Sequence, residues 1–131
     1  MYKYLAAATV MAAAFIAAQP AAANSTFPYT CSNIGFAYSN NAATLVAMCL
    51  QANGEPHATS LTLMGISNQN GHLTQGSGAS TFQQSCGSIK IETSGPVVTL
   101  TAYCRTSAGA STATSLSLNN IGNNNGNLVQ Q

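Results

Sequence analysis

The chain contains an internal repeat whose cysteines recur at a fixed distance. Cys31 and Cys49 are followed 55 positions later by Cys86 and Cys104. The same offset relates other identical residues without a gap, among them Phe27 and Phe82, Leu45 and Leu100, Leu63 and Leu118, and Ile66 and Ile121. Self-similarity at a fixed period indicates that one structural unit is built twice. Repeat one spans residues 25–76 and repeat two residues 80–131.

The four cysteines predict a disulfide framework. Four cysteines allow three pairings, and the repeat favours Cys31–Cys49 and Cys86–Cys104, because each repeat then carries the same bridge. Each bridge would close a loop of about 18 residues, which stabilises the fold by about 3 kcal/mol in the chain-entropy model. A unit of about 50 residues buries so little surface that it would be only marginally stable alone. We therefore expect both the bridges and packing of one repeat against the other.

Residues 1–23 have the composition of a secretory signal peptide. Lys3 supplies a positive charge, an apolar run follows from Tyr4 to Ala18, and Ala21-Ala22-Ala23 matches the small-x-small cleavage pattern. The alternative is a membrane helix, but a span needs about 20 strongly apolar residues, and this stretch is mostly alanine. We expect a mature domain over residues 24–131 that is secreted or periplasmic, where disulfides persist.

The predicted mature chain carries few charges, which excludes two classes of partner. Lys90 and Arg105 are balanced by Glu55 and Glu92. Nucleic-acid binding needs a basic surface that displaces phosphate counterions, and an anionic membrane surface attracts proteins in the same way. Neither nucleic acid nor a membrane is therefore an expected partner. The remaining surface is rich in Ser, Thr, Asn, Gln and Gly, and its hydroxyl and amide groups can bind a neutral polar ligand.

Alternation of apolar and polar residues predicts an all-β fold. Strand patterns run over residues 34–38, 44–49 and 60–63 in repeat one, and over 89–93, 98–103 and 115–118 in repeat two. Asn70-Gly71 and Asn125-Gly126 predict hairpins with type I′ turns, since both central residues of that turn need a positive φ. No stretch has the pattern of a long amphipathic helix, although one-turn helices fit near Phe27 and Phe82.

The sequence argues against catalysis and metal binding. It contains no Asp, and a glycosidase would need a pair of carboxylates, whereas Glu55 and Glu92 occupy positions that the repeat does not relate. His57 and His72 could act as metal ligands or as a base. Repeat two, however, has threonine and asparagine at the matching positions, and the thiols are assigned to bridges. We expect no catalytic residue, no metal and no other cofactor.

Two short motifs occur at the same place in each repeat. Each repeat opens with Ser-Thr-Phe-x-x-Ser/Thr-Cys, and a hydrophobic-x-hydrophobic run later leads to Asn-x-Asn-Gly-x-Leu, over residues 61–73 and 116–128. These motifs resemble the cyanovirin-N homology (CVNH) family of lectins. The resemblance covers nearly all of the predicted mature chain. It implies two pseudo-symmetric halves with strands exchanged between them, each a three-stranded sheet plus a β-hairpin, and disulfides within each repeat.

The resemblance also implies a secreted lectin, either a monomer or a domain-swapped dimer, that binds mannose-rich glycans through α1,2-linked mannose at two distal sites. The first, here called the Arg105 site, comprises Ser67, Asn68, Asn70, Thr81, Gln84, Ser85, Arg105, Thr106 and Ser107. The second, here called the Tyr29 site, comprises Thr26, Tyr29, Thr30, Gln51, Asn53, Asn123, Asn124 and Asn125. Because the chain has no Trp and few aromatic residues, recognition by hydrogen bonds is expected.

Two departures from the family pattern bear on these sites. Family members frequently have an acidic residue before the hairpin glycine, where this chain has Asn70 and Asn125. A carboxylate forms charge-assisted hydrogen bonds about twice as strong as neutral ones, so the amides should weaken sugar binding. Leu50 and Ala52 replace polar positions beside the Tyr29 site, whereas Arg105 is retained. We therefore favour the Arg105 site. The alternative is an extracytoplasmic structural or interaction protein that keeps the fold without binding sugar.

Cleavage after Ala23 is directly testable. The exported protein is expected to begin at Asn24, because the small-x-small pattern ends at the preceding residue. N-terminal sequencing of the exported protein measures this, and an Ala23→Arg variant, which lacks the small residue at the cleavage position, should stay uncleaved. An intact Met1 on a membrane-retained chain would contradict the secretory prediction.

Overall fold

The computed structural model describes residues 24–39 and 41–131. Segments in which apolar and polar residues alternate form most of the ten strands found there. The predicted signal peptide lies outside these residues. In repeat one the strands are β1 Cys31–Ser39, β2 Ala42–Leu50, β3 Pro56–Thr62, β4 Met64–Gln69 and β5 His72–Ala79. In repeat two they are β6 Cys86–Ser94, β7 Val97–Arg105, β8 Ser111–Ser117, β9 Ile121–Asn124 and β10 Asn127–Gln130.

Each half is a three-stranded antiparallel sheet followed by a hairpin. The sheets have the orders β1-β2-β3 and β6-β7-β8, and the hairpins pair β4 with β5 and β9 with β10. A 3-10 helix precedes each sheet, Phe27–Tyr29 in repeat one and Phe82–Gln84 in repeat two. No helix within the described residues is long and apolar enough to cross a membrane. The predicted all-β class and the two matched halves are confirmed.

The hairpins are exchanged between the halves. β5 of repeat one packs against β8 of repeat two, and β10 of repeat two packs against β3 of repeat one. The Leu73 amide donates to Thr114 Oγ1 at 3.1 Å, and the Leu128 amide donates to Thr59 Oγ1 at the same distance. Each three-stranded sheet is therefore covered by a hairpin that belongs to the other repeat, as the family resemblance implied.

The core is built from residues that the repeat relates. Phe27 and Phe82 are fully buried. The other large buried pairs are Leu45 and Leu100, Ile66 and Ile121, Leu63 and Leu118, and Leu73 and Leu128. Along β2 and β7, buried residues alternate with more exposed ones, because successive side chains of a strand point to opposite faces of the sheet. The same alternation predicted both strands in the sequence.

Both predicted disulfide pairings are confirmed. Cys31 is bonded to Cys49 and Cys86 to Cys104, each across 18 positions. In each sheet the two cysteines lie directly opposite each other in the strand register, and the described residues include no free cysteine. The bridges therefore join the start of the first strand of each sheet to the end of the second.

The hairpin turns and the short helices also follow the sequence, while the bounds of several strands differ from the predicted ones. Asn70 and Asn125 have φ of 51°, and the following glycines have φ of 91°, as a type I′ turn requires. The predicted 3-10 turns near Phe27 and Phe82 are present. β3 and β8 begin four residues before the predicted starts and end one residue before the predicted ends. β3 ends at Thr62, although the amide of the next residue, Leu63, still donates to the Ala43 carbonyl of β2 at 2.8 Å.

Two buried serines fasten the start of each repeat to the other repeat. Ser25 Oγ donates to the Leu118 carbonyl at 2.7 Å and accepts from the Ile121 amide at 3.1 Å. Ser80 Oγ forms the equivalent pair of bonds with the backbone of repeat one, at 2.6 and 3.0 Å. A buried hydroxyl is stable only when it is hydrogen-bonded. These residues therefore hold the two halves in a fixed relation.

Replacing Ser80 with alanine should destabilise the fold. The change leaves a buried carbonyl and a buried amide unpaired, which costs about 1–3 kcal/mol in the free energy of unfolding. Equilibrium denaturation by guanidinium chloride measures the loss. Ser117→Ala, at an exposed position on β8, serves as the control and should change stability by less than about 0.5 kcal/mol. Equal losses in the two variants would contradict the assigned role of Ser80.

Candidate functional site

Each predicted site combines the hairpin of one repeat with the 3-10 helix and the end of the bridged strand of the other. In the Arg105 site, Ser67 and Asn68 lie on β4, Asn70 in the hairpin turn, Thr81, Gln84 and Ser85 in or beside the second 3-10 helix, and Arg105, Thr106 and Ser107 at the end of β7. In the Tyr29 site, Asn123 and Asn124 lie on β9, Asn125 in the turn, Thr26, Tyr29 and Thr30 in or beside the first 3-10 helix, and Gln51 and Asn53 after β2. Hairpin exchange thus brings each set together.

Asn68 fastens the hairpin of repeat one to repeat two. Its Nδ2 donates to Ser85 Oγ and to the Arg105 carbonyl, both at 2.9 Å, and its Oδ1 accepts from the Gly71 amide at 2.7 Å. A side-chain amide has two N–H donors and one carbonyl oxygen, so both donors of Asn68 are used within the protein. Asn68 is therefore a positioning residue, a role that its place in the predicted sugar site did not reveal.

Asn70 fixes the loop that follows Arg105. Asn70 Oδ1 accepts hydrogen bonds from the Ser107 amide at 2.9 Å and from Ser107 Oγ at 3.0 Å. Within that loop, the Thr106 amide donates to the Ala110 carbonyl at 2.7 Å, and the Ala110 amide donates to Thr106 Oγ1 at 3.1 Å. Residues 106–110 therefore form a closed loop whose position is set by the hairpin of the other repeat.

The turn of each hairpin lies against the other repeat with little space. A Cβ added at Gly71 would lie 2.9 Å from Thr106 Cγ2 and 3.3 Å from Thr112 Oγ1, and one added at Gly126 would lie 3.0 Å from His57 Cβ. Both turn glycines also have φ of 91°, which L-residues rarely adopt. His57, considered above as a metal ligand or base, therefore lies beside a hairpin turn. The described residues contain no group of three or more His, Cys, Asp or Glu side chains that could hold a metal ion.

The Arg105 side chain lies at the edge of a shallow polar groove. The Arg105 amide donates to the Ser85 carbonyl at 3.0 Å, which fixes its backbone, while its side chain is exposed. The groove has a volume of about 370 Å³, and its lining includes Gln84, Ser85, Arg105 and Ser111. A guanidinium carries five N–H donors and stays protonated in proteins. The groove therefore offers a cation on an anchored backbone, among hydroxyl and amide groups, which suits a neutral ligand with many hydroxyls.

The Tyr29 site uses the same clamp. Asn123 Nδ2 donates to Thr30 Oγ1 and to the Leu50 carbonyl, both at 2.9 Å, and Asn123 Oδ1 accepts from the Gly126 amide at 2.7 Å. Asn125 Oδ1 accepts from the Ala52 amide at 2.8 Å. The bonds of Asn68 and the backbone bond to Asn70 therefore recur at the Tyr29 site, whereas the bond from the Ser107 hydroxyl to Asn70 does not.

The side chains on this scaffold differ between the two sites. At positions that the repeat relates, the Tyr29 site has Tyr29 where the Arg105 site has Gln84. It has Leu50 in place of Arg105 and alanine in place of Ser107. Tyr29 is 65% exposed and Leu50 46%, so large apolar surfaces face solvent at the Tyr29 site. A leucine offers no hydrogen bond where arginine offers five donors. The Arg105 site is therefore better equipped to bind hydroxyl groups.

Some of the predicted site residues do not join the two repeats. Asn53 Oδ1 accepts from the Glu55 amide at 2.9 Å within its own turn, and Ser67 Oγ accepts from Gln69 Nε2 at 3.1 Å on its own strand. Among the described residues, Asn124 forms no side-chain hydrogen bond.

The sequence analysis did not identify Tyr103, which lines the Arg105 groove. Its place two residues before Arg105, on the same face of a strand, was the signal that could have found it.

Comparisons with known proteins agree with this architecture. The model of the CVNH domain family matches residues 27–129, whereas no curated protein sequence matches the chain. Among solved structures, TbCVNH from T. borchii is 32% identical with a TM-score of 0.64, over 81% of this chain and 99% of its own. Microvirin, solved as a mannobiose complex, is 31% identical with a TM-score of 0.60, over 81% of this chain and 98% of its own.

A designed cyanovirin-N homolog lectin is also similar. It is 27% identical with a TM-score of 0.61, over 81% of this chain and 99% of its own. The family model spans most of the chain, and two relatives are more than 30% identical over nearly their whole length. The chain therefore belongs to the CVNH domain family.

Proposed function

We propose that the mature protein, beginning at Asn24, is a non-catalytic lectin that binds mannose-rich glycans through α1,2-linked mannose at the Arg105 site. The observation that carries the proposal is the clamp formed by Asn68 and Asn70. It holds the Ser85 hydroxyl and the backbone of Arg105 and Ser107, while the Arg105 side chain remains exposed. Similarity to microvirin, whose structure contains mannobiose, supports a disaccharide unit as the ligand.

Preorganisation explains how a small polar groove can bind a sugar without a catalytic or aromatic centre. Ordering flexible side chains and loops on binding costs free energy, and a site that is already ordered avoids this cost. The loop at residues 106–110 is closed by its own hydrogen bonds and by Asn70. The Arg105 guanidinium then adds donors to the hydroxyl and amide groups around it. This combination favours a neutral polyhydroxylated ligand over an anion, because one cation provides little electrostatic attraction.

The Tyr29 site is proposed as the weaker of the two. It shares the clamp through Asn123 and Asn125, but Leu50 and Ala52 provide no side-chain hydrogen bonds. We also propose that the protein acts outside the cytoplasm after removal of residues 1–23. The two disulfides support this, since such bridges persist in oxidising compartments. The expected oligomeric state is a monomer or a domain-swapped dimer.

The alternative function is that of an extracytoplasmic structural or interaction protein with the same fold. The observation in its favour is that Asn70 and Asn125 are amides where family members frequently have a carboxylate. In the structure, Oδ1 of each asparagine accepts a hydrogen bond from the other repeat. These residues therefore serve the fold even without a sugar.

Replacing Arg105 with leucine, the residue at the matched position of repeat one, should remove sugar affinity and spare the fold. Affinity for α1,2-mannobiose is expected to fall about tenfold or more, the size of a lost hydrogen bond to a charged group. The melting temperature should be nearly unchanged, because the side chain is exposed and repeat one tolerates leucine there. Calorimetric titration and thermal unfolding measure the two quantities.

Two further variants complete this test. Asn70→Asp keeps the acceptor for Ser107 and adds an ionised oxygen, so it should tighten mannobiose binding. Leu50→Ala, at the matched position of the Tyr29 site, should leave the affinity of the Arg105 site unchanged. If Leu50→Ala lowers affinity and Arg105→Leu does not, the sites have been assigned in the wrong order. If the native protein gives no heat with mannobiose, the structural alternative is favoured.

Asn68→Ala should behave differently from Arg105→Leu. It removes three hydrogen bonds that join the repeats or close the turn, so both stability and mannobiose affinity should fall. The loss of stability is expected to be about 1–3 kcal/mol in the free energy of unfolding. Thermal and denaturant unfolding, alongside calorimetry, measure the pair of effects. A loss of affinity with unchanged stability would show that Asn68 contacts the sugar instead of positioning the site.

A further inference from the structure

The groove at Arg105 adjoins a second groove along the outer face of the sheet in repeat two. The first groove has a volume of about 370 Å³ and the second about 420 Å³. Both are lined by Ser88 and Tyr103. Because the two grooves share these residues, a ligand seated at Arg105 has a direct path onto the sheet.

Tyr103 lies at the junction and presents a large surface to solvent. It is 55% exposed, and it lies on β7 two residues before Arg105, so the two side chains point to the same face of the sheet. An exposed aromatic ring offers an apolar surface together with a hydroxyl that can form a hydrogen bond. The C–H face of a pyranose ring and its flanking hydroxyls match these two features.

The second groove also contains most of the charged side chains of this part of the protein. Lys90 and Glu92 line this groove. The residues that the structure describes include four Lys, Arg and Glu side chains, and three of them, Lys90, Glu92 and Arg105, belong to β6 and β7. Neither Lys90 nor Glu92 forms a side-chain hydrogen bond with a described residue. The ammonium group can donate to sugar hydroxyls and the carboxylate can accept from them.

The corresponding face of repeat one lacks these features. The repeat places Met48 where repeat two has Tyr103, glycine where it has Lys90, and alanine where it has Glu92. A groove of about 430 Å³ exists there as well, but its lining contains no charged residue and no aromatic ring. The fold therefore does not require the Tyr103, Lys90 and Glu92 side chains, since the same sheet is built without them.

We propose that the groove lined by Tyr103, Lys90 and Glu92 is an extended subsite that holds further sugar residues of an oligosaccharide bound at the Arg105 site. The proposal rests on the proposed lectin function. The ring of Tyr103 packs against the apolar face of a sugar residue next to the disaccharide. Lys90 and Glu92 then form hydrogen bonds with the hydroxyls of the following residue. The protein would thus prefer longer chains to the isolated disaccharide at this end.

Calorimetric titration with two probes tests the subsite. α1,2-Mannobiose occupies the Arg105 site without reaching the groove, and linear α1,2-linked mannotetraose is long enough to occupy the site together with the groove. In the native protein the tetraose should bind about fivefold more tightly or better, the size of one or two added contacts. Tyr103→Met, which installs the residue of repeat one, should remove most of this gain, so it should lower the affinity for the tetraose clearly more than the affinity for mannobiose. Lys90→Gln should reduce the gain partly.

The control is Met48→Ala, the matched position on the other sheet, which should leave both affinities unchanged. A gain that survives in Tyr103→Met arises from repeated disaccharide units or from another surface, and it overturns the subsite. Equal losses for both sugars in Tyr103→Met also overturn it, because Tyr103 then belongs to the disaccharide site. Native protein that binds mannobiose without any gain for the tetraose refutes the groove alone. Native protein that binds neither sugar refutes the lectin function as well.

Discussion

The exchange of hairpins between the repeats determines how the core and both sites are built. Each sheet is covered by the hairpin of the other repeat, so neither repeat has a complete core of its own. The buried serines and the two asparagine clamps act at the same boundary. Because a chain of about 50 residues is only marginally stable alone, this boundary provides stability as well as the walls of the sites. We therefore expect stability and sugar binding to be coupled at Asn68 and separable at Arg105.

The fold could be predicted because its main signals are local and occur twice. Period-two alternation marked β2 and β7, Asn-Gly marked the hairpin turns, and the matched cysteines identified the bridges. The starts of β1 and β6 were predicted too late. A bulge shifts the strand register there, and Asn33 and Ser88 have positive φ. An extra residue in one strand breaks the alternation, so the pattern could be recognised only after the bulge.

The site was harder to predict, because its key hydrogen bonds join residues far apart in the chain. The family resemblance gave the residues of the Arg105 site but not their roles. Asn68 contacts Ser85 and Arg105, which lie 17 and 37 positions away, and no sequence pattern shows that its amide group is used within the protein. Tyr103 was missed for a related reason. Its strand was predicted, but the groove it shares with Arg105 depends on how the bulged strand β6 lies beside β7.

Duplication explains why the two ends of one scaffold can carry different chemistry. Nearly every large buried residue has an identical partner in the other repeat, because a close-packed interior is sensitive to even small changes in volume. Exposed positions are free of this restriction, since surface substitutions usually change stability little. Arg105 and Leu50 differ there, as do Tyr103 and Met48, while the clamps beneath them are the same. A residue of one repeat can therefore be placed at the matched position of the other without disturbing the backbone. Such a substitution changes the side chain offered to a ligand and leaves the scaffold beneath it unchanged.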